Sequence, residues 1–151
     1  MKDAFVPLSL ENYQDAYQIH TTGHFKPWSQ SVFADCITRP YFAYQLQDNM
    51  QTIGYYLSLQ VLDEATLMDI TVDRTRQGQG WGGEVLKHFM HQCQLRDVST
   101  IWLEVRQSNH AAIHLYEKAG FSLVEKRVNY YPTANGREDA LMMHCVIAQE
   151  G

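Results

Sequence analysis

The chain has 151 residues, of which 45% are hydrophobic and 19% are charged, as in ordinary globular proteins. We expect a single domain over residues 1–151, which is long enough to bury a core. The formal net charge of −5 opposes a general affinity for nucleic acid and is compatible with a basic partner.

Three features of the sequence predict the cellular location of the protein. No apolar run is long enough to span a bilayer, so we expect no membrane segment. The N-terminus has no signal-peptide pattern. The three cysteines, Cys36, Cys93 and Cys145, are far apart and are interpreted as reduced packing thiols. These features together predict a cytoplasmic protein.

The first sixty residues predict a strand, two helices and a hairpin. Their expected ranges are Ala4–Leu8, Glu11–His24, Gln30–Thr38, Tyr41–Gln47 and Met50–Val61. Pro27 ends the first helix, and Ser29 is a suitable N-cap for the second. Trp28 lies in the turn between them, either as a core residue or as one wall of a groove.

A strand, a glycine-rich turn and a helix follow one another in the middle of the chain. The strand is Leu67–Val72, and the helix extends to Asp97 with apolar residues at helical spacing. Between them come four glycines in six residues, Gly78, Gly80, Gly82 and Gly83. The unpaired N–H groups and the dipole of a helix N-terminus favour anions, and glycine allows a phosphate to approach the backbone. The stretch therefore predicts a phosphate-binding turn.

Two classes of ligand, dinucleotides and acyl-coenzyme A, fit the sequence of this turn. Gly78-x-Gly80-x-x-Gly83 satisfies the dinucleotide pattern, with Glu104 near the position of the acidic ribose ligand, but Asp73–Gln77 separate the turn from its strand. Gln77-x-x-Gly80-x-Gly82 resembles the Q/R-x-x-G-x-G/A signature of the GNAT acyl-CoA N-acyltransferases, whose amides hold the coenzyme A pyrophosphate. We favour the second interpretation, because the polar gap and the long helix fit it.

The remaining elements complete a mixed sheet. We expect a strand over Thr100–Val105 parallel to Leu67–Val72, a helix over Asn109–Ala119, and a final hairpin of Phe121–Tyr131 and Asp139–Ile147. The predicted order is β-α-α-β-β-β-α-β-α-β-β. This is an α/β or α+β mixed sheet with helices on both faces, and it is similar to the GNAT fold.

Two side chains have the chemistry that acetyl transfer to an amine needs. Glu104 shares a strand face with Trp102 and Arg106; it is either an exposed ion-pair partner or a base that deprotonates an ammonium group. Tyr116 lies two helical turns beyond Asn109; it is either a core residue or the donor of a proton to a departing thiolate. Seven histidines include pairs at helical spacing, but no His-Glu-x-x-His occurs, and we expect no metal site.

Three stretches of the sequence resemble a single GNAT subfamily, RimI, the bacterial ribosomal-protein-alanine N-acetyltransferases. The resemblance lies in Asn129-Tyr130-Tyr131-Pro132, in Gly136-Arg137-Glu138-Asp139-Ala140 and in Pro27-Trp28-Ser29. It implies that Glu104 is the base, Tyr116 is the acid, and Trp28, Tyr130 and Tyr131 line a peptide groove. It implies acetyl-CoA as co-substrate, with ten cofactor-binding residues: Ile70, Thr71, Val72, Gly78, Gln79, Gly80, Trp81, Gly82, Gly83 and Asn109.

The implied acceptor is the N-terminal alanine of a small-subunit ribosomal protein. Three alternatives stay open from the sequence: another protein N-terminus, a small amine, or a domain that binds acetyl-CoA without catalysis. The presence of both Glu104 and Tyr116 favours an enzyme. Relatives often carry arginine at the positions of Gly78 and Gly83, so Arg74 or Arg76 is expected to supply the missing positive charge.

Overall fold

The computed structural model describes residues 3–147 and contains four α-helices and seven strands within that range. The helices are α1 (Gln14–Gly23), α2 (Gln30–Asp35), α3 (Trp81–Leu95) and α4 (His110–Lys118). The strands are β1 (Asp3–Pro7), β2 (Tyr41–Asp48), β3 (Gln51–Val61), β4 (Glu64–Val72), β5 (Thr100–Arg106), β6 (Ser122–Thr133) and β7 (Gly136–Val146). The predicted order and fold class are confirmed. A 3-10 turn, Arg74–Arg76, occupies the polar gap before the glycines.

Local sequence explains where several helices begin. The Ser29 hydroxyl accepts a hydrogen bond from the Val32 N–H (3.3 Å), as expected of an N-cap. Asn109 caps α4 in the same way, because its Oδ1 accepts from the Ala112 N–H (3.2 Å). Helix α3 begins at Trp81, three residues earlier than a start after Gly83 predicts, so Gly82 and Gly83 belong to its first turn. No helix within residues 3–147 is both long and apolar enough to cross a membrane.

The strands form one sheet in the order β1-β2-β3-β4-β5-β7-β6. The pair β4–β5 is parallel, as predicted, and the other neighbours are antiparallel. Helices cover both faces. A larger core cluster, including Phe89 and Leu103, packs α3 and α4 on one face, and a smaller one, including Ile19 and Phe33, packs α1 and α2 on the other.

The two parallel strands separate halfway along their length. Their pairing begins at Glu64 with Thr100 and ends at Leu67 with Leu103. Beyond this point β4 stays paired with β3, and β5 stays paired with β7. The sheet therefore opens between β4 and β5, and this opening connects the two faces.

A β-bulge lies at the start of the opening. Leu57 pairs with Asp69 and Ser58 pairs with Leu67, so Met68 is the extra residue in β4. Before the bulge, Ala65 and Leu67 belong to the larger core. After it, Ile70 and Val72 pack against that core, and Asp69 turns to the face of α1. The bulge thus exchanges the faces of the residues that follow it.

Candidate active site

The glycine turn has the geometry of an anion site. Gly78 and Gly80 have φ of +77° and +88°, which residues with a Cβ rarely adopt. Gly80 is the N-cap of α3 and offers no side chain to cap it, so the first N–H groups of the helix have no capping side chain. Gln77 Nε2 donates to the Val72 carbonyl (3.1 Å) and holds the turn against the end of β4. The Trp81 indole donates to Gln79 Oε1 (3.2 Å) across the turn.

Of the two arginines before this turn, one is already paired. Arg76 Nη1 donates to Asp48 Oδ2 at 2.8 Å, and both side chains are partly buried. Within residues 3–147, the Arg74 side chain makes no hydrogen bond or ion pair. Arg74 is therefore the better candidate for a cation that pairs with a phosphate bound at the turn.

A cavity of about 610 Å³ fills the opening between β4 and β5. It reaches both faces of the sheet. Ile70, Leu103 and Tyr116 line it from the side of α3 and α4, whereas Trp28 and Glu104 line it from the side of α1. Two ligands can therefore meet in the opening, one from each face.

Glu104 lies on β5 where this strand has left β4. Its neighbours Leu103 and Val105 are buried in the larger core, so alternation directs Glu104 to the opposite face. Its Oε2 lies 3.7 Å from Arg127 Nη1, and the carboxylate is about one-third exposed. The partner of Glu104 is therefore Arg127, since Arg106 pairs with Glu138 (3.0 Å). The carboxylate is accessible from the cavity and held loosely, which suits a group that binds and releases a proton.

Tyr116 reaches the same cavity from α4. Its ring is buried against Phe121, with the ring centroids 5.8 Å apart. Burial raises the pKa of the phenol well above its ordinary value, and the negative charge of Asp69 adds to this shift. The hydroxyl is therefore protonated at neutral pH, and it makes no hydrogen bond to any other described residue. It is available to donate its proton to a ligand.

The predicted cofactor residues divide between two places. Ile70 and Asn109 line the cavity, and the Asn109 amide nitrogen stays available because its oxygen caps α4. The glycine turn lies outside the cavity lining, at the other end of the same β4 edge. Thr71 and Val72 lie between them, on an edge of β4 that has no strand partner beyond Leu67 on the β5 side. This edge is open to an extended ligand.

The Tyr130-Tyr131 pair is held by its own hairpin. Between the Arg127–Ala140 and Tyr131–Glu138 pairs, β6 has three residues where β7 has one, so β6 bulges outward. Arg137 closes this bulge, since its guanidinium donates to the carbonyls of Asn129 (2.7 Å) and Tyr130 (2.9 Å).

The Asp139 carboxylate accepts from the Asn129 N–H (2.8 Å) within the same hairpin. Glu138 ties Arg106 to the hairpin through its ion pair. The two segments of this hairpin that resemble the RimI subfamily, 129–132 and 136–140, are thus joined by hydrogen bonds into one unit. Its tyrosines and Trp28 line the cavity, as a groove for an acceptor requires.

The sequence reasoning missed a buried carboxylate beside the cavity. Asp69 Oδ2 accepts from Tyr55 (2.6 Å) and His20 Nδ1 (2.9 Å), and its Oδ1 accepts from Thr71 (2.8 Å) and His24 Nε2 (3.1 Å). Burial raises the pKa of this carboxyl, but the hydrogen bonds that it accepts outweigh burial and hold the pKa well below its ordinary value. The available signal was a carboxylate in the middle of a strand, together with two histidines one helical turn apart.

These two histidines and Asp69 are also close enough to suggest a metal centre, with ligand atoms within 4.8 Å of one another. The hydrogen bonds of His20 oppose a metal centre. The Trp28 N–H donates to His20 Nε2 (2.9 Å), so the ring hydrogen lies on Nδ1 and points to Asp69. His20 then has no free lone pair for a metal. The expectation of no metal site remains a prediction.

A mixed sheet that opens between parallel strands, with a glycine-rich turn and a helix N-terminus beside the opening, is the architecture of an acyl-CoA transferase. Residues 4–121 match the model of the Acetyltransferase (GNAT) family, and the chain belongs to this family. It is an N-acetyltransferase, and acetyl-CoA is its co-substrate. Membership of this family favours the acyl-CoA interpretation of the glycine turn over the dinucleotide one, and it makes the chain an enzyme, not a domain that binds acetyl-CoA without catalysis.

Known proteins narrow the resemblance further. The chain is 46% identical to the ribosomal protein bS18-alanine N-acetyltransferase of Escherichia coli K12 over 128 residues, which are 85% of this chain and 86% of that protein. It matches the crystal structure of the ribosomal-protein-S18-alanine N-acetyltransferase from Escherichia coli with a TM-score of 0.95 and 41% identity, covering 99% and 97% of the two chains. The structure of Arabidopsis thaliana Naa50 with the bisubstrate analogue CoA-Ac-MVNAL shares the fold, with a TM-score of 0.84 and 19% identity, covering 97% of this chain and 100% of that one.

Proposed function

We propose that this enzyme transfers the acetyl group of acetyl-CoA to the N-terminal α-amino group of an alanine that begins a small-subunit ribosomal protein. Similarity to bacterial enzymes that are named for this reaction on ribosomal protein bS18 supports the acceptor. The carrying observation is the cavity through the sheet, because it brings Glu104 and Tyr116 together from opposite faces. Such a protein is made and assembled in the cytoplasm, where we place the reaction.

Acetyl-CoA would enter from the side of α3. The first-turn N–H groups of that helix would hold the pyrophosphate, with Arg74 as the neighbouring cation. The pantetheine arm would follow the open edge of β4, past Ile70, Thr71 and Val72, and the Asn109 amide would bind it near the thioester.

The acceptor would enter from the side of α1, between Trp28 and the Tyr130-Tyr131 pair. Glu104 would accept a proton from its ammonium group, directly or through a water. The free amine then attacks the thioester carbon, and the tetrahedral intermediate expels the thiolate. Tyr116 would donate its proton to that thiolate.

An α-amino group suits this site better than a lysine does. A pKa near 8 leaves about a tenth of α-amino groups neutral at pH 7, whereas a pKa near 10.4 leaves under about one hundredth of lysines neutral. The net charge of −5 favours an acceptor whose following residues are basic. Such attraction is screened over about 10 Å at 0.1 M salt, so it should weaken as salt is added.

A peptide panel tests the acceptor. It contains an alanine-initiated basic peptide, the same peptide with a blocked N-terminus and a free lysine, and a small polyamine. We expect acetylation of the first to be the fastest, with a KM that rises with salt. Faster acetylation of the blocked peptide or of the polyamine would replace this acceptor with another protein site or a small amine. Mass spectrometry of ribosomal proteins incubated with enzyme and acetyl-CoA then identifies the natural acceptor.

A further inference from the structure

His24 stands in the acceptor half of the cavity with one ring nitrogen in use and the other free. The Thr71 hydroxyl donates to Asp69 Oδ1, so the Thr71 oxygen is left to accept from His24. His24 Nε2 lies 3.1 Å from both Asp69 Oδ1 and Thr71 Oγ1, and it therefore carries the ring hydrogen. In the neutral ring Nδ1 then has a lone pair. No described residue hydrogen-bonds to this nitrogen.

Asp69 fixes the orientation of this histidine. Its carboxylate lies 3.1 Å from Nε2, so the hydrogen bond that it accepts leaves Nδ1 facing away from Asp69. The His24 side chain is 36% exposed, whereas Asp69 is only 5% exposed, so the ring can exchange its proton with water and the carboxylate cannot. An Asp–His pair of this kind serves as a general base in many enzymes.

Other charged and titratable groups also border the cavity. They come from every element that borders it: His20, Lys26, Glu104, Arg106, Tyr116, Tyr130 and Tyr131. Arg106 is paired with Glu138, and His20 is fixed as a neutral donor to Asp69. Burial keeps Tyr116 protonated and raises the pKa of Tyr131 to about 12. The negative charge next to the His24 ring is that of Asp69.

The reaction itself requires two proton acceptors. An ammonium group carries three N–H bonds and the amide product carries one, so two protons must leave the nitrogen. Glu104 accounts for the first, which departs before the amine attacks. The second departs after the N–C bond has formed, when the nitrogen of the tetrahedral intermediate is positively charged. The proposed function assigns no residue to this second proton.

We propose that His24 Nδ1 accepts this second proton and that Asp69 is the positioning residue that orients the ring. The inference rests on the proposed function, since it requires an amine acceptor in this cavity. An N–H bond of the intermediate breaks as the proton moves to Nδ1. The C–S bond then breaks and the thiolate takes the Tyr116 proton. Glu104 and His24 each return a proton to water and Tyr116 recovers one, so one proton is released for each ammonium acetylated.

The first test compares His24→Gln with Glu104→Gln across pH. A glutamine amide keeps an N–H donor for Asp69 near the position of Nε2 and has no basic nitrogen. We expect His24→Gln to lower kcat/KM for the alanine-initiated peptide at least tenfold at pH 7, and the deficit to persist at pH 9. The Glu104→Gln deficit should shrink over this range, because the amine loses its first proton to solvent. An acetyl-CoA-dependent rise in melting temperature shows that each variant is folded.

The second test separates proton transfer from a structural role. Imidazole added to His24→Ala should enter the space that the ring leaves and restore turnover in proportion to its neutral form. The control is His114→Gln, an exposed histidine of α4 outside the cavity, which should turn over like the wild type and gain nothing from imidazole.

Two results would overturn the assignment of His24 alone: wild-type turnover in His24→Gln, or a His24→Ala variant that imidazole does not restore. If the wild-type enzyme acetylates no amine of the panel, the proposed function and this inference both fall. The two failures are distinguishable, because in the second case the wild type itself is inactive.

Discussion

Leu67 and Asp69 are two residues apart on β4, yet they lie on opposite faces of the sheet. Leu67 is buried in the core beneath α3, and Asp69 accepts hydrogen bonds from Tyr55 and His20 on the side of α1. The bulge at Met68 causes this exchange, since one extra residue reverses the alternation that follows it. The same place ends the pairing with β5. One irregularity therefore accompanies the opening of the sheet and directs a carboxylate into its acceptor side.

The first prediction concerns the phosphate-binding turn. Acetyl-CoA should raise the melting temperature by mass action, and NADH should not. Gly82→Glu should abolish the shift, because it places a side chain and a negative charge in the first turn of α3. Gly82→Ala is the matched control, since an added Cβ meets only Leu115 at 3.7 Å, an ordinary contact. If acetyl-CoA still raised the melting temperature of Gly82→Glu, the pyrophosphate would bind somewhere other than this turn.

The second prediction concerns Tyr116. Tyr116→Phe keeps the ring against Phe121 and removes a hydroxyl that bonds to no described residue, so we expect little loss of stability. Turnover should fall about 100-fold, the usual scale for loss of a general acid, while the acetyl-CoA-dependent thermal shift remains. Steady-state kinetics with the alanine-initiated peptide measure this. Near-normal kcat would make Tyr116 a packing residue only.

The third prediction concerns Glu104. Glu104→Gln removes the carboxylate and keeps the shape of the side chain, so kcat/KM should fall by about 100-fold at pH 7. The deficit should shrink as pH rises through the amine pKa near 8, because the substrate is then already deprotonated. The pH profile of kcat/KM for both enzymes tests this. Equal deficits at pH 6 and pH 9 would assign Glu104 to acceptor binding.

The fourth prediction concerns the hairpin that carries the tyrosines. Arg137→Gln should loosen the bulge of β6, since the guanidinium donates to the carbonyls of Asn129 and Tyr130. We expect KM for the peptide to rise about tenfold, equivalent to about 1.4 kcal/mol, with the affinity for acetyl-CoA unchanged. Lys126→Gln, which removes an exposed cation on β6 of the same hairpin, is the control. An unchanged peptide KM in Arg137→Gln would separate the hairpin from the groove.

The fifth prediction concerns stability and pH. Asp69→Asn replaces one carboxylate oxygen with an amide N–H₂ group, which faces side chains that are themselves hydrogen-bond donors. Because this leaves donors in the buried network without an acceptor, the free energy of unfolding should fall by about 3 kcal/mol at pH 7. The folded-state pKa of Asp69 lies below its unfolded value near 3.9, so the carboxylate stabilises the fold fully above that value.

The difference between wild type and Asp69→Asn should therefore narrow as pH falls below about 4. Urea titrations over this range measure it. Asp97→Asn, an exposed position, controls for the charge change. A difference that stays constant down to pH 2 would show that the ionised carboxylate is not what stabilises the network.

The sequence by itself determined the order of elements, the position of the glycine-rich turn and the family. These features are local: hydrophobic periodicity, glycines at fixed spacing and capping residues act over a few positions along the chain. Ser29 and Asn109 were readable as helix starts for that reason. Glu104 and Tyr116 were nominated by the residues around them and by the resemblance, and they stand at one cavity.

Only the tertiary structure decided which residues share the acceptor side with Glu104. Strict alternation assigns Asp69 to the face of Leu67, and the bulge at Met68 reverses this assignment. A bulge depends on how β3 and β4 pair, which no short stretch of sequence encodes. His24 was visible only as one of two histidines a helical turn apart, since its partner Asp69 lies 45 residues away along the chain. Contacts between such distant residues exist only when the sheet and α1 have packed together.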